Sequence, residues 1–132
     1  MKIGEFARCA EVRIDTVRYY ERQGLLPVPA RQASGYRRYD QSDVARLLFV
    51  RRAKTLGFTL GEIRNLIALS KHPEDDMGGL KSAAIVKLAD VETKLTRLRR
   101  IRDALRALVD SCPGHGPLHQ CPILNALAKG MP

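Results

Sequence analysis

The stretch CPGHGPLHQC, residues 112–121, sets two cysteines around eight residues that include two histidines, two prolines and two glycines. Thiolates are soft ligands and imidazoles borderline ones. Cys112, Cys121, His115 and His119 are therefore a donor set for one soft or borderline metal ion. Pro113, Gly114, Gly116 and Pro117 allow a tight loop that returns Cys121 to Cys112. Three chemistries fit this spacing: metal ligation, a thiol redox switch between Cys112 and Cys121, and a plain structural turn. A zinc-class divalent ion wants about four ligands, which both sulfurs and the histidines approach. A copper(I)- or silver(I)-class ion is held by two thiolates alone, with the histidines as bystanders. The apolar segment PILNALAKG that follows predicts a short helix, whose positive amino end favours thiolate at Cys121.

The preceding segment must carry this loop. Leu88, Val91, Leu95, Leu98, Leu105 and Val109 recur at alternating spacings of three and four, interrupted by Arg102. That is about four heptads of a coiled-coil seam. A lone helix cannot bury such a stripe, and a homodimer covers it most simply. Ile123, Leu124 and Leu127 of the short C-terminal helix are placed to dock on the coiled coil. The polar break KHPEDDMGG separates this region from what precedes it. The expected division is a DNA-binding domain over 1–71, a linker over 72–79, a dimerisation helix over 80–111, and a sensing loop with a short helix over 112–132.

In the first part, Ile3, Phe6, Ala7 and Ala10 line one face of a short helix. A second follows in IDTVRYYERQGLL, with Val17, Tyr20 and Ile14 inward, Gly24 as its stop and Pro27 preventing continuation. Two short helices about four residues apart predict a helix-turn-helix. The stretch PVPARQASGYRRYD, punctuated by Pro and Gly, predicts a basic β-loop, or wing. Asp40, with Asp43 three residues on, caps a helix that buries Val44, Leu47, Leu48, Val50 and Leu56 and stops at Gly57. Thr59 and Glu62 form a capping box for another, running through Leu69. Tyr20 and Tyr39 are expected in the core, and Cys9 as a small buried hydrophobe.

Composition narrows the function. The net charge is +9, with +7 carried by residues 1–71 (14 Lys/Arg against 7 Asp/Glu). A basic N-terminal half points to nucleic acid as partner. Aromatic residues are 5 % and Trp is absent, which suits an aliphatic, helix-rich core. No apolar run approaches the roughly 20 residues of a membrane span. The charged amphipathic start is not a signal peptide, so a cytoplasmic location is expected, with no membrane partner. Three cysteines favour metal or redox roles over a disulfide framework. No nucleophile–base pair, phosphate loop or carboxylate dyad stands at meaningful spacing, so an enzyme is not expected.

The stretches IGEFARCAEVRIDTVRYYERQGLLPVPAR, GYRRY and LLFVRRAKTLGFTLGEI together resemble the MerR family of transcriptional regulators, from about Lys2 to Leu69 and more loosely beyond. The resemblance implies a mainly α fold. A winged helix-turn-helix reads promoter DNA, a long helix forms an antiparallel coiled coil with the partner subunit, and the C-terminal loop senses the inducer. It also implies activation by distortion: the inducer-bound dimer bends and untwists an over-long promoter spacer for RNA polymerase, so deformation energy is what is regulated. The operator is then an inverted repeat. Arg18 and Tyr19 on the recognition helix are implied DNA contacts, with Arg13 and Thr16 near its start. Arg31, Tyr36 and Arg37 on the wing grip the backbone, with Arg38 and Lys54 as lesser contributors. Divalent-sensing relatives add a cysteine at the start of the partner's long helix, where this chain reads DDMGGL. Met77 offers a thioether there, and Asp75 and Asp76 offer oxygens. The expected function is a metal-responsive regulator, a zinc-class divalent ion being preferred to copper(I). The alternative is a thiol redox-responsive regulator using Cys112 and Cys121.

Overall fold

The structure is a computed structural model that describes residues 1–28 and 38–130. Its elements are α1 (Ile3–Cys9), α2 (Ile14–Arg22), α3 (Gln41–Thr55), α4 (Leu60–Leu69), α5 (Gly78–Ser111), a single 3-10 turn (Leu118–Gln120) and α6 (Pro122–Lys129). The fold is mainly α, with no strand among the described residues. Of the expected wing, residues 27–40, the part from 29 to 37 lies outside them.

Two compact units divide the chain, Met1–Lys87 and Leu88–Pro132. In the first, Phe6, Val17, Leu25, Leu47, Val50 and Ile63 are fully buried and join α1 to α4 around one core. The helix ends follow local chemistry. Asp40 and Asp43 bond each other's amides at 3.0 and 2.9 Å, the reciprocal cap of α3. Thr59 and Glu62 do the same for α4. Gly24 (φ 76°) and Gly57 (φ 93°) end α2 and α3 in the left-handed conformation. In each case the next residue's amide bonds a carbonyl five residues back, Leu25 to Tyr20 and Phe58 to Ala53, the paired-bond helix stop that glycine permits.

Three expectations of burial fail. Ile14 is 37 % exposed, because it opens α2 and the inward face of that helix is taken by Val17 and Tyr20. Leu56 is 67 % exposed, because α3 has ended and Phe58, past the Gly57 turn, takes the core position instead. Cys9 is exposed, because Phe6, Ala7 and Ala10 fill the inward face of α1; its Sγ lies 3.9 Å from Met1 Sδ. Tyr20 and Tyr39 are buried as expected.

From Leu88 on, α5 runs without interruption to Ser111. Leu88, Val91, Leu95, Leu98, Leu105 and Val109 are each between 42 % and 65 % exposed in the single chain. On α6, Leu124 and Leu127 are exposed as well. Among the described residues, no helix is long and apolar enough to cross a membrane.

Candidate DNA-reading surface and metal centre

The joint between α1 and α2 is a tight turn in which Glu11 takes a positive φ of 54°. Non-glycine residues rarely adopt this conformation, which places the Glu11 carboxylate where Arg51 Nη2 meets it at 3.2 Å. α2 then buries Val17, Tyr20 and Glu21 and turns Arg18, Tyr19 and Arg22 outward. The Arg22 guanidinium lies 5.9 Å from the centroid of the Tyr19 ring. Arg13, at the N-cap, is highly exposed and 4.0 Å from Asp15, and Thr16 is half-buried in the first turn. Burial, and then the neighbouring Tyr19, push the Tyr20 phenol above its ordinary pKa, so it stays neutral.

The far end of α2 is held from α4. Arg64 Nε donates to Gln23 O at 2.9 Å and its Nη2 to Gln23 Oε1 at 3.2 Å. A cation at a helix carboxyl end meets both its free carbonyls and its partial negative charge.

Arg31, Tyr36 and Arg37 lie outside the described residues. The chain re-emerges at Arg38, which is exposed, and Tyr39, which is anchored three ways. Its ring stacks on Phe6 with centroids 4.1 Å apart, its hydroxyl donates to Glu21 at 3.2 Å, and it exchanges backbone bonds with Met1 at 2.7 and 2.8 Å. Lys54 is exposed in the last turn of α3. The structure thus brings Arg18 and Tyr19 together on one face and adds Arg22. Sequence reasoning missed Arg22, although its place one turn beyond Arg18 could have found it. No sequence signal pointed to Arg64, whose partner is 41 residues away.

In the second unit, Cys112 follows directly on α5, its amide bonding Val109 O at 3.3 Å. Gly114 (φ 81°) and Gly116 (φ 110°) take conformations that side chains resist, which is why the loop can reverse so tightly. Cys121 is the N-cap of α6, and Pro122 opens the helix. Cys121 Sγ accepts the Leu124 amide at 3.5 Å. That bond lowers the Cys121 pKa against the opposing effect of burial, with lesser help from the Ile123 amide and the Cys112 side chain. The Cys112 side chain thus lies near enough to Cys121 to act on its thiol.

The imidazoles do not join them. His115 Nδ1 sits 3.2 Å from Pro113 O, within its own loop. His119 contributes its backbone carbonyl to Asn125 Nδ2 at 3.5 Å. Among the described residues, no group of three or more His, Cys, Asp or Glu side chains gathers as a metal cluster. Asp76 accepts the Gly78 amide at 3.1 Å at the start of α5, and the adjacent Met77 is exposed. Two adjoining sulfurs, one activated, suit a soft ion. Further ligands for a four-coordinate ion would have to come from a histidine that turns inward or from another subunit.

Residues 1–69 match the family model described as MerR HTH family regulatory protein, and residues 44–108 the one described as MerR, DNA binding. The chain is 40 % identical over 128 residues to the mercuric resistance operon regulatory protein of Bacillus cereus, covering 97 % of each. It is also 40 % identical over 133 residues to the HTH-type transcriptional regulator ZntR of Escherichia coli K12, covering 98 % of this chain and 93 % of that one. Among solved structures, the transcription regulator PbrR691 from Ralstonia metallidurans CH34 in complex with lead(II) matches with a TM-score of 0.82 at 40 % identity, covering 96 % of this chain and 98 % of the other.

Proposed function

This chain belongs to the MerR family of helix-turn-helix regulatory proteins, a transcriptional regulator and not an enzyme, and from that premise we propose that it is a cytoplasmic, homodimeric, metal-responsive activator. The observation that carries the metal reading is the placement of Cys121. Its sulfur is an activated helix cap with the Cys112 thiol beside it, at the end of the helix whose apolar seam is exposed. A soft ion would supply the positive charge that lets both sulfurs ionise together.

A zinc-class divalent ion is the first choice. Relatives named for mercuric resistance and solved with lead(II) support it, and His115 and His119 are at hand as further ligands. Copper(I) or silver(I) on the two sulfurs alone is the competing choice. The chain's own part is to carry the change at the loop along α5. Two copies of α2, with the wings, would grip an inverted repeat. Activation would follow by distorting the promoter for RNA polymerase, since bending energy depends on the DNA deformed. Arg13, Thr16, Arg18, Tyr19, Arg31, Tyr36, Arg37 and Lys54 are the proposed DNA contacts.

The test is native mass spectrometry of reduced protein titrated with zinc and then copper(I), paired with transcription from the selected operator. One metal per site and a metal-dependent rise in transcript are expected. His115→Ala/His119→Ala protein that keeps a copper(I) response, with no zinc response from the wild type, would reject the divalent choice. The Cys112–Cys121 contact favours one second reading, a thiol redox switch. Metal-free protein that activates on oxidation and is silenced by reductant would establish that reading instead.

A further inference from the structure

Lys87 is a charged side chain only 7 % exposed, at the end of the unit that carries α2. Its Nζ lies 2.8 Å from Glu62 Oε1 and 5.7 Å from the centroid of the Phe58 ring. The same Glu62 oxygen accepts the Thr59 amide at 2.8 Å in the capping box of α4. The ammonium is thus fixed to the first turn of α4. The other end of α4 also meets α5: a Cβ built on Gly79 would stand 2.9 Å from Leu69 Cδ2. Between these two points Ala83 packs against the core. α5 is therefore held at both ends of α4, over a helix length of about 12 Å.

The two contacts differ in kind. Leu69 against Gly79 is an apolar contact that tolerates sliding. Lys87 is buried while Glu62 is 38 % exposed; an ion pair with a buried member adds little net stability over an apolar residue of similar size, and its best-attested use is to specify one geometry. From this we infer that Lys87 is a positioning residue: with Glu62 it fixes the direction in which α5 leaves the DNA-reading unit, and so sets the half-site spacing that the dimer accepts. The inference rests on the dimeric DNA-binding reading above. In a dimer joined through α5, each reading unit is placed by its attachment to that helix. One added base pair turns one half-site against the other by about 34° and moves it by about 3.4 Å. A pinned unit cannot follow that change, whereas an unpinned one can.

The test uses the full-length protein. Wild type first selects its own inverted repeat from a random duplex library, and that repeat is rebuilt with one or two base pairs added or removed at its centre. Wild type is expected to lose about tenfold or more in affinity for a one-base-pair change. Lys87→Met, similar in length but uncharged, keeps its affinity for the selected repeat within about threefold and shrinks the spacing penalty to about threefold or less. Glu62→Gln, whose oxygen still reaches the Thr59 amide, behaves likewise, and Lys87→Arg retains the sharp optimum. Spacing profiles of Lys87→Met and Glu62→Gln as steep as that of wild type overturn the inference and leave the DNA-binding reading standing. Should circular dichroism show Lys87→Met unfolded, Glu62→Gln decides alone by the same criterion. Wild-type protein that selects no inverted repeat overturns both.

Discussion

Arg64, on α4, holds the carboxyl end of α2 through both the backbone and the side-chain oxygen of Gln23. The helix proposed to present Arg18 to DNA is thereby closed by a cation from another helix. Arg64→Ala removes two charge-assisted bonds at an exposed position, worth about 1 kcal/mol. A urea melt should show that loss. Operator affinity should fall with it, and Arg64→Lys should recover only part, because one ammonium cannot span both oxygens. Unchanged stability and affinity in Arg64→Ala would remove this role.

Stability should depend on Glu62 in a defined pH direction. The hydrogen bond from Lys87, and then the Thr59 amide, hold the Glu62 carboxyl below its ordinary range. A depressed carboxylate contributes its stability fully above the unfolded value, about 4.3, and loses it as pH falls through the lower folded value. The melting gap between wild type and Glu62→Gln should be full at neutral pH and close on acidification below about pH 4. A gap that is the same at pH 7 and pH 3 contradicts the assignment.

Cys121 should alkylate with a pH midpoint below the usual thiol value of about 8.5. Mass spectrometry of iodoacetamide labelling against pH measures it. Cys112→Ala should move that midpoint upward by removing one donor, while the Leu124 amide keeps it partly depressed. Cys112→Ser and Cys121→Ser should each abolish the metal response and leave operator binding in place. A midpoint unmoved in Cys112→Ala would mean that the sulfurs are not neighbours in solution.

Arg18 and Arg22 stand one turn apart on the outward face of α2, and neither has a carboxylate partner among the described residues. Arg18→Ala should weaken operator binding by about 1–3 kcal/mol. Arg22→Ala should weaken it more evenly across sequences and lower the slope of log affinity against log salt by about 1. Anisotropy titrations at several salt concentrations separate the two, and unchanged slopes in both variants would remove α2 from the interface.

What the sequence made legible was written within four or five residues. Asp40 with Asp43, Thr59 with Glu62, and the glycine stops at 24 and 57 each act on their own helix, so local chemistry decides them. Cys121 was legible for the same reason, since Pro122 announces the helix it caps. Pairings across the fold were not legible. Lys87 reads as one more polar face of a heptad, and only the folded chain brings Glu62 and Phe58 to it. Leu56 reads as a core residue until the Gly57 turn gives its place to Phe58. The spacing of His115 and His119 matched a ligand set, yet rotation about a loop is not encoded in spacing: here the His115 ring meets Pro113 O in its own loop, and His119 gives its backbone carbonyl to Asn125 of α6.

The apolar stripe from Leu88 to Val109 stands half in water in the single chain, while the unit ending at Lys87 has a closed core of its own. The two parts therefore obey different laws of mass action. The first is expected to melt at a temperature independent of dilution. The second is stabilised by whatever covers the stripe, in proportion to the logarithm of that partner's concentration. If a second copy provides the cover, the number of molecules in the cell becomes a term in the stability of the helix that carries Cys112.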